Sequence, residues 1–299
     1  MRRHKVLYIL LLLVIVCSVL FLVYGLNPSS YQYALSRRIP KLIAIAMTGS
    51  GIAVSSVIFQ TVTNNRILTP SVLGLDSLYN LFQTLIVFSL GSLNVALMGS
   101  NLNFLIAGGL MIIFSLLLFK MMFRRENTNL FFLLMSGMIF GTLFSSLSSF
   151  MQMVMDPNEF LIVQNKMFAS FNNVKSSLLG ISTITMGLTL FWVLKDAKKL
   201  DVIALGKEQA INLGIDYDRM VRKMLVAVVI LVSVSTALVG PITFLGILVT
   251  NLAYQMIKDY RHSIVIPTSI LLSLLALIGG QFLVERVFQF NTTIGVIIN

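Results

Sequence analysis

Charge is what this sequence has least of. Asp, Glu, Lys and Arg together make up 11% of its 299 residues, less than half the share found in soluble domains. Apolar residues make up 57% and the mean hydropathy is +0.92, more than a soluble fold of this length can bury. There is one cysteine, Cys17, and two histidines, His4 and His262. A single thiol excludes a disulfide framework and a thiolate metal site. Of the 11 acidic residues, all but Asp76 and Glu285 fall in polar connections between apolar runs. No pair has metal-ligand spacing, no Ser/His/Asp set meets at one depth, and the Gly-x-x-x-x-Gly-Lys phosphate loop is missing. The sequence therefore points to no catalytic site, cofactor or metal. An ion-driven carrier places charge near the midplane, and here Asp76, read as an interfacial carboxylate at a helix end, is the best candidate.

What the sequence does have is apolar runs. They cover 6–26, 42–61, 72–90, 104–122, 130–151, 178–193, 224–239, 242–256, 264–283 and the beginning of another at 293–298. Each is expected to be helical, because the hydrocarbon offers no water to satisfy backbone groups. The expectation is a single all-α polytopic membrane domain over 1–299, with about ten transmembrane helices and the last one cut short. The first run is about twice the length of a signal-peptide core and lacks a small-residue cleavage site, so it reads as a retained span.

The net charge of +11 is carried in short clusters between the runs, a pattern of topology signals rather than of a nucleic-acid face. With the amino terminus cytoplasmic, sixteen of the 22 basic residues lie inside, and six lie outside: Arg37, Arg38, Lys41, Lys166, Lys175 and Arg286. The positive-inside rule favours that orientation, and it leaves Arg37, Arg38 and Lys41 as an unexplained outer cluster. Small residues recur every four positions at Gly137, Gly141, Ser145 and Ser149, and at Gly49/Ala53 and Gly51/Ser55. This spacing lets helices approach closely where lipid provides no hydrophobic drive.

The longest polar segment, 195–223, contains Leu205-Gly206-Lys207-Glu208-Gln209-Ala210-Ile211-Asn212-Leu213-Gly214. A short helix is expected over 208–213, stopped by Gly214 in a left-handed cap. Asp216 or Asp218 is expected to cap the helix that follows. The frame suits either a solvated loop or a docking knob for a cytoplasmic partner.

Four motifs resemble those of the permease subunits of binding-protein-dependent ABC importers for iron–siderophores, haem and cobalamin. Arg38-Ile39-Pro40-Lys41 is similar to the family's Arg-Leu-Pro-Arg. Gln60, Asn65, Pro70, Leu73 and Gly74 fall in step with its Gln…Asn-Pro-Leu-Ala-x-Pro-x-Leu-Leu-Gly. Leu205-Gly206…Ala210…Leu213-Gly214 and Gly240-Pro241-Ile242-Thr243-Phe244-Leu245-Gly246 complete the set in the right order. The resemblance implies a permease of the bacterial cytoplasmic membrane that imports an iron–siderophore complex and performs no bond chemistry. Its implied partners are two cytoplasmic ATP-binding subunits, a second permease chain, the same or related, and an extracytoplasmic siderophore-binding protein. Arg38, Lys41 and Arg286 would dock acidic groups of the binding protein. Leu205, Gly206, Glu208, Ala210, Leu213 and Gly214 would form the coupling segment set against the ATPase. Gly137, Gly141 and Ser145 would face the translocation path, with Asn127–Asn129 close to an inner gate. The chain departs from the pattern at Lys41, Arg66, Asp76 and Thr250-Asn251. The alternatives are haem or cobalamin as substrate or, in another class, an ion-coupled secondary transporter.

Overall fold

In the computed structural model, which describes residues 2–25, 31–122, 130–172 and 174–298, every regular element is helical. The order is α1 (Arg2–Val23), α2 (Tyr31–Thr63), a single 3-10 turn (Pro70–Leu73), α3 (Leu75–Met122), α4 (Leu130–Val154), α5 (Pro157–Met167) and α6 (Ser176–Lys195). There follow α7 (Ala197–Ile203), α8 (Lys207–Asn212), α9 (Tyr217–Val239), α10 (Leu245–Ile257), α11 (His262–Arg286) and α12 (Ile294–Ile298). Seven of these helices are long and apolar enough to cross a membrane. The protein is an all-helical, polytopic membrane protein.

Small residues decide which helices form the centre. Gly49 leaves no room for a Cβ against Ser273 and Leu277 of α11, and Gly51 none against Ser235 of α9 and Met186 of α6. Ser273 donates to the Gly49 carbonyl at 2.9 Å. These approaches wedge α2 between α9 and α11. Burial follows: 67% of the apolar stretch of α2 and 72% of that of α9 lie inside, against 17% for α1, which forms the periphery.

The expected spans 72–90 and 104–122 are joined in α3, a helical run of 48 residues. A straight helix would separate Phe82 from Phe114 by about 48 Å, at 1.5 Å per residue. Their rings instead meet edge to face with centroids 6.3 Å apart. The chain therefore doubles back between them, and Gly91, at φ +75°, lies on that stretch with the left-handed backbone that glycine tolerates. The first arm also starts later than expected, since Pro70–Leu73 is a 3-10 turn capped by Gly74 at φ +76°.

That turn lies deep. It lines a cavity of about 20 Å³ together with Ile52, Ser55 and Ser56 of α2 and Ile242 and Thr243 ahead of α10. Counted along α2 from Lys41 at about 1.5 Å per residue, the cavity lies at roughly 16–22 Å and Thr61 at roughly 30 Å. Both α3 and the 13-residue α10 thus begin about halfway through the bundle. This is why α10 is too short to span by itself.

The Gly137/Gly141 repeat meets this re-entrant turn. A Cβ on Gly137 would come within 2.9 Å of the Leu73 Cα, and one on Gly141 within 3.1 Å of the Gly74 Cα. Ser145 donates to the Ser77 hydroxyl at 2.9 Å. The expectation that Gly137, Gly141 and Ser145 face a translocation path is therefore corrected: they pack α4 onto α3. The exposed side of α4 carries Thr142, Ser146 and Ser149 with Met135, Met138 and Met153. Residues 127–129, expected near an inner gate, lie outside the described residues.

Candidate functional site

At the Lys41 end of the bundle, α1, α2 and α11 bring together Arg38, Lys41 and Arg286. The last carbonyls of α1 have no helical partner and carry partial negative charge. Arg38 donates to Leu22 of that last turn at 2.8 Å and to Tyr24, just past the helix, at 2.9 Å. Arg286 donates to the same Tyr24 carbonyl at 2.8 Å, and its guanidinium lies 5.3 Å from the Tyr24 ring centroid. Two arginines far apart in sequence thus share one acceptor. Arg286 remains exposed and Arg38 half-buried.

Lys41 is placed differently. Its ammonium pairs with Glu285 at 2.8 Å, and the two side chains are only 16% and 10% exposed. Asn172 accepts a second bond from it at 3.0 Å, and Gln281 donates to both Asn172 and Glu285. At this end of the bundle the Lys41 charge is thus already paired within the chain. Glu285 stands out in the sequence as one of two acids away from the polar connections, but neither its pairing with Lys41 nor the part of Asn172 is legible there. Arg37 is exposed and lies over Tyr33.

Close by, α5 was unexpected, although Asp156-Pro157 is a clear start signal. The Asp156 side chain accepts from the Asn158 amide at 2.9 Å, and proline occupies the first helical turn, where its missing N–H costs nothing. Lys166 near the end of α5 donates to Gln83 at 2.8 Å, and burial pushes its pKa down to about 8. A cationic group with a depressed folded pKa opposes folding below that value, and the penalty disappears as pH rises from about 8 toward the unfolded value of about 10.4. Lys166→Gln is expected to raise the melting temperature of the purified protein at pH 7, with the gain vanishing by about pH 10. A gain independent of pH would show that the ammonium is not the cause.

At the opposite end, 195–223 folds as two short helices, α7 and α8, and the first turns of α9. The expected helix over 208–213 is present as α8, Gly214 sits at φ +78°, and Asp216 caps α9 by accepting from the Arg219 amide at 3.0 Å. The short α7 was not expected. Ala210 is fully buried, whereas Leu205, Ile211 and Leu213 are 58%, 53% and 62% exposed. Glu208 lies on the exposed surface with them, and Gly206 turns the chain into α8 at φ +100°. The segment is held from below by Lys207–Asp218 at 3.1 Å and by Asp196, which pairs with both Lys199 and Lys223. Burial pushes the Asp196 carboxyl up, but the bonds and charges of Lys199 and Lys223 outweigh it and hold it below the usual carboxylate range. Its stabilising contribution is complete above the unfolded carboxylate pKa and fades only as pH falls through the lower folded value.

Asp76 lies between the two ends. It is in the first turn of α3, so it is a helix-end carboxylate, but the helix begins at half depth and the residue is not interfacial. Thr243 donates to it at 3.3 Å and Ser71 also hydrogen-bonds it. These hydroxyls and the α3 N-terminus supply the positive end that a buried carboxylate needs. Among the described residues no group of three or more His, Cys, Asp and Glu could hold a metal.

A family model described as the FecCD transport family matches residues 5–299. The chain is similar to the petrobactin import system permease protein YclO of Bacillus subtilis, at 58% identity over 100% of this chain and 94% of that protein. It is 34% identical to the petrobactin import system permease protein FatC of Bacillus anthracis, over 99% of this chain and 85% of that one. A solved structure of an inward-facing, metal-chelate type ABC transporter superposes with a TM-score of 0.85 at 21% identity, covering 99% of this chain and 95% of its own.

Proposed function

Since the chain belongs to the FecCD transport family, we propose that it is the membrane-spanning permease of an ATP-driven importer whose cargo is ferric petrobactin. The observation that carries the substrate is the 58% identity, over its full length, to a petrobactin permease. The multi-pass chain resides in the bacterial cytoplasmic membrane, with its amino terminus and the α8 end in the cytoplasm. It moves the chelate and makes or breaks no bond.

The division of labour follows from the two ends. The Arg38/Arg286 patch faces outward and receives carboxylates of the loaded binding protein, with Lys41 and Glu285 fixing the helix ends beneath it. Leu205, Ile211 and Leu213, presented by the Gly206–Gly214 frame and anchored by Ala210, enter a groove of the cytoplasmic ATPase. The exposed side of α4 looks onto the path between this chain and a second permease. The test is complementation: in cells lacking their own petrobactin permease, this chain should restore uptake of radiolabelled ferric petrobactin. Restoration by haem or cobalamin alone would reassign the cargo.

Asp76 separates this reading from an ion-coupled carrier, which needs an essential intramembrane carboxylate. In the importer its work is to hold Thr243 and Ser71, and an amide can do the same. Asp76→Asn is expected to keep at least about half of the wild-type uptake, a change within about 0.5 kcal/mol. That uptake should stop on ATP depletion and persist with a protonophore. Complete loss in a stably folded Asp76→Asn protein would favour the carrier.

A further inference from the structure

One buried histidine joins the α8 end to the membrane helices. His262 is 2% exposed and begins α11. Its Nδ1 lies 2.6 Å from the Asp201 carboxylate of α7, and its backbone N–H donates to the same oxygen at 2.7 Å. Its Nε2 lies 2.6 Å from the Thr61 hydroxyl near the end of α2. A carboxylate only accepts, so Nδ1 carries a proton, while Nε2 pairs with the Thr61 hydroxyl, which also donates to the Val57 carbonyl one turn earlier at 2.8 Å. Both ring nitrogens are thereby committed to different elements.

The connection continues beyond α2. On α10 the Tyr254 ring lies under the Arg66 guanidinium, 4.6 Å from it, with Tyr260 on the same guanidinium at 5.5 Å. Gln60, next to Thr61, donates to Thr250 of α10 at 2.8 Å. Beside this network lies a cavity of about 490 Å³, bounded by Ala204 and Leu205 on one side and by Asn64, Arg66 and Tyr260 on the other. The 195–223 segment thus has open space against the helix ends, and Asp201–His262 crosses to them at the edge of that space.

We propose that His262 is the positioning residue that passes a displacement of the 195–223 segment to Thr61 of α2 and, through the adjacent Gln60, to α10. This rests on the reading of Leu205–Leu213 as the ATPase contact. Apolar packing beside an open cavity yields when one side is pushed. Short hydrogen bonds to both sides of a buried ring do not, because stretching either leaves a buried polar group unpaired. α2 carries the Arg38/Lys41 end, and α10 starts at the half-depth break beside Asp76, so the link reaches both the outer patch and the middle of the bundle.

The experiment uses the full importer, permease with its ATPase and binding protein, in proteoliposomes, and reads ferric petrobactin transported per ATP hydrolysed. Thr61→Val keeps shape and removes the hydroxyl; Thr61→Ser returns it. Thr61→Val is expected to co-purify with the ATPase and hydrolyse ATP as the wild type does, with the transport ratio down by about tenfold, and Thr61→Ser to restore the ratio. Asp201→Ala should reproduce the loss and Asp201→Asn, which retains the acceptor, should not; this pair decides the matter if Thr61→Val fails to assemble. Unchanged ratios in Thr61→Val and Asp201→Ala, or equal losses in each conservative partner, would overturn the proposal. Failure of the wild-type chain to co-purify with the ATPase would instead overturn the coupling reading, and the relay with it.

Discussion

Arg38→Glu combined with Arg286→Glu is expected to lower chelate uptake by at least about a hundredfold, since losing a partner of a charge pair at an interface already costs about 2–5 kcal/mol and reversal adds repulsion. The double change places two carboxylates where the proposed partner presents its own. Arg38 has a second task, however, because it donates to the carbonyls of Leu22 and Tyr24 at the end of α1. A loss of uptake by itself would therefore not separate docking from a loosened α1. Arg286→Glu alone is the sharper variant, because Tyr24 keeps its bond from Arg38 and Arg286 is exposed. The decisive measurement pairs it with a binding protein whose acidic docking residues are changed to arginine. Recovery of uptake in that pair establishes docking, and near-normal uptake in the double Glu variant with an unaltered binding protein would sink it.

The second large effect is expected at the other end. Leu205→Asp with Leu213→Asp should abolish co-purification of the ATPase and, with it, ATP-dependent uptake, while the permease stays in the membrane at its normal level. The choice of residues follows from exposure. At 58% and 62% exposed, these side chains have little packing to lose within the chain, so burying two carboxylates in a partner's groove is the main penalty. Gly206 and Ala210 are poorer probes. The first holds φ +100°, which a side chain resists, and the second is fully buried, so changes there disturb α8 itself. Unchanged co-purification of the doubly substituted chain would remove the coupling role from this segment.

Much of this was legible in the chain because it rests on local rules. Hydropathy located the runs, and the Gly206–Gly214 frame with Asp216 placed α8 and the start of α9. The Asp156-Pro157 start of α5 obeyed equally local rules and was overlooked. The errors fell where two distant segments met. Gly137 and Gly141 read as a helix-approach face, but only the Leu73–Gly74 turn lying across them excludes the path. The pairing of Lys41 with Glu285, 244 positions away, is likewise invisible in the sequence.

The sequence by itself determined that this is a helical membrane protein, which family it resembles, and which residue types lie at its two ends. Composition and spacing suffice for that, since the bilayer admits few alternatives for so apolar a chain. Tertiary structure alone decided depth and commitment: that α3 doubles back, that Asp76 lies halfway through the bundle, that Arg38 and Arg286 share one carbonyl, and that His262 joins α7 to α2. Each depends on helix ends brought together by close packing at small residues, and a one-dimensional pattern carries neither their distance nor the charge already used when they meet.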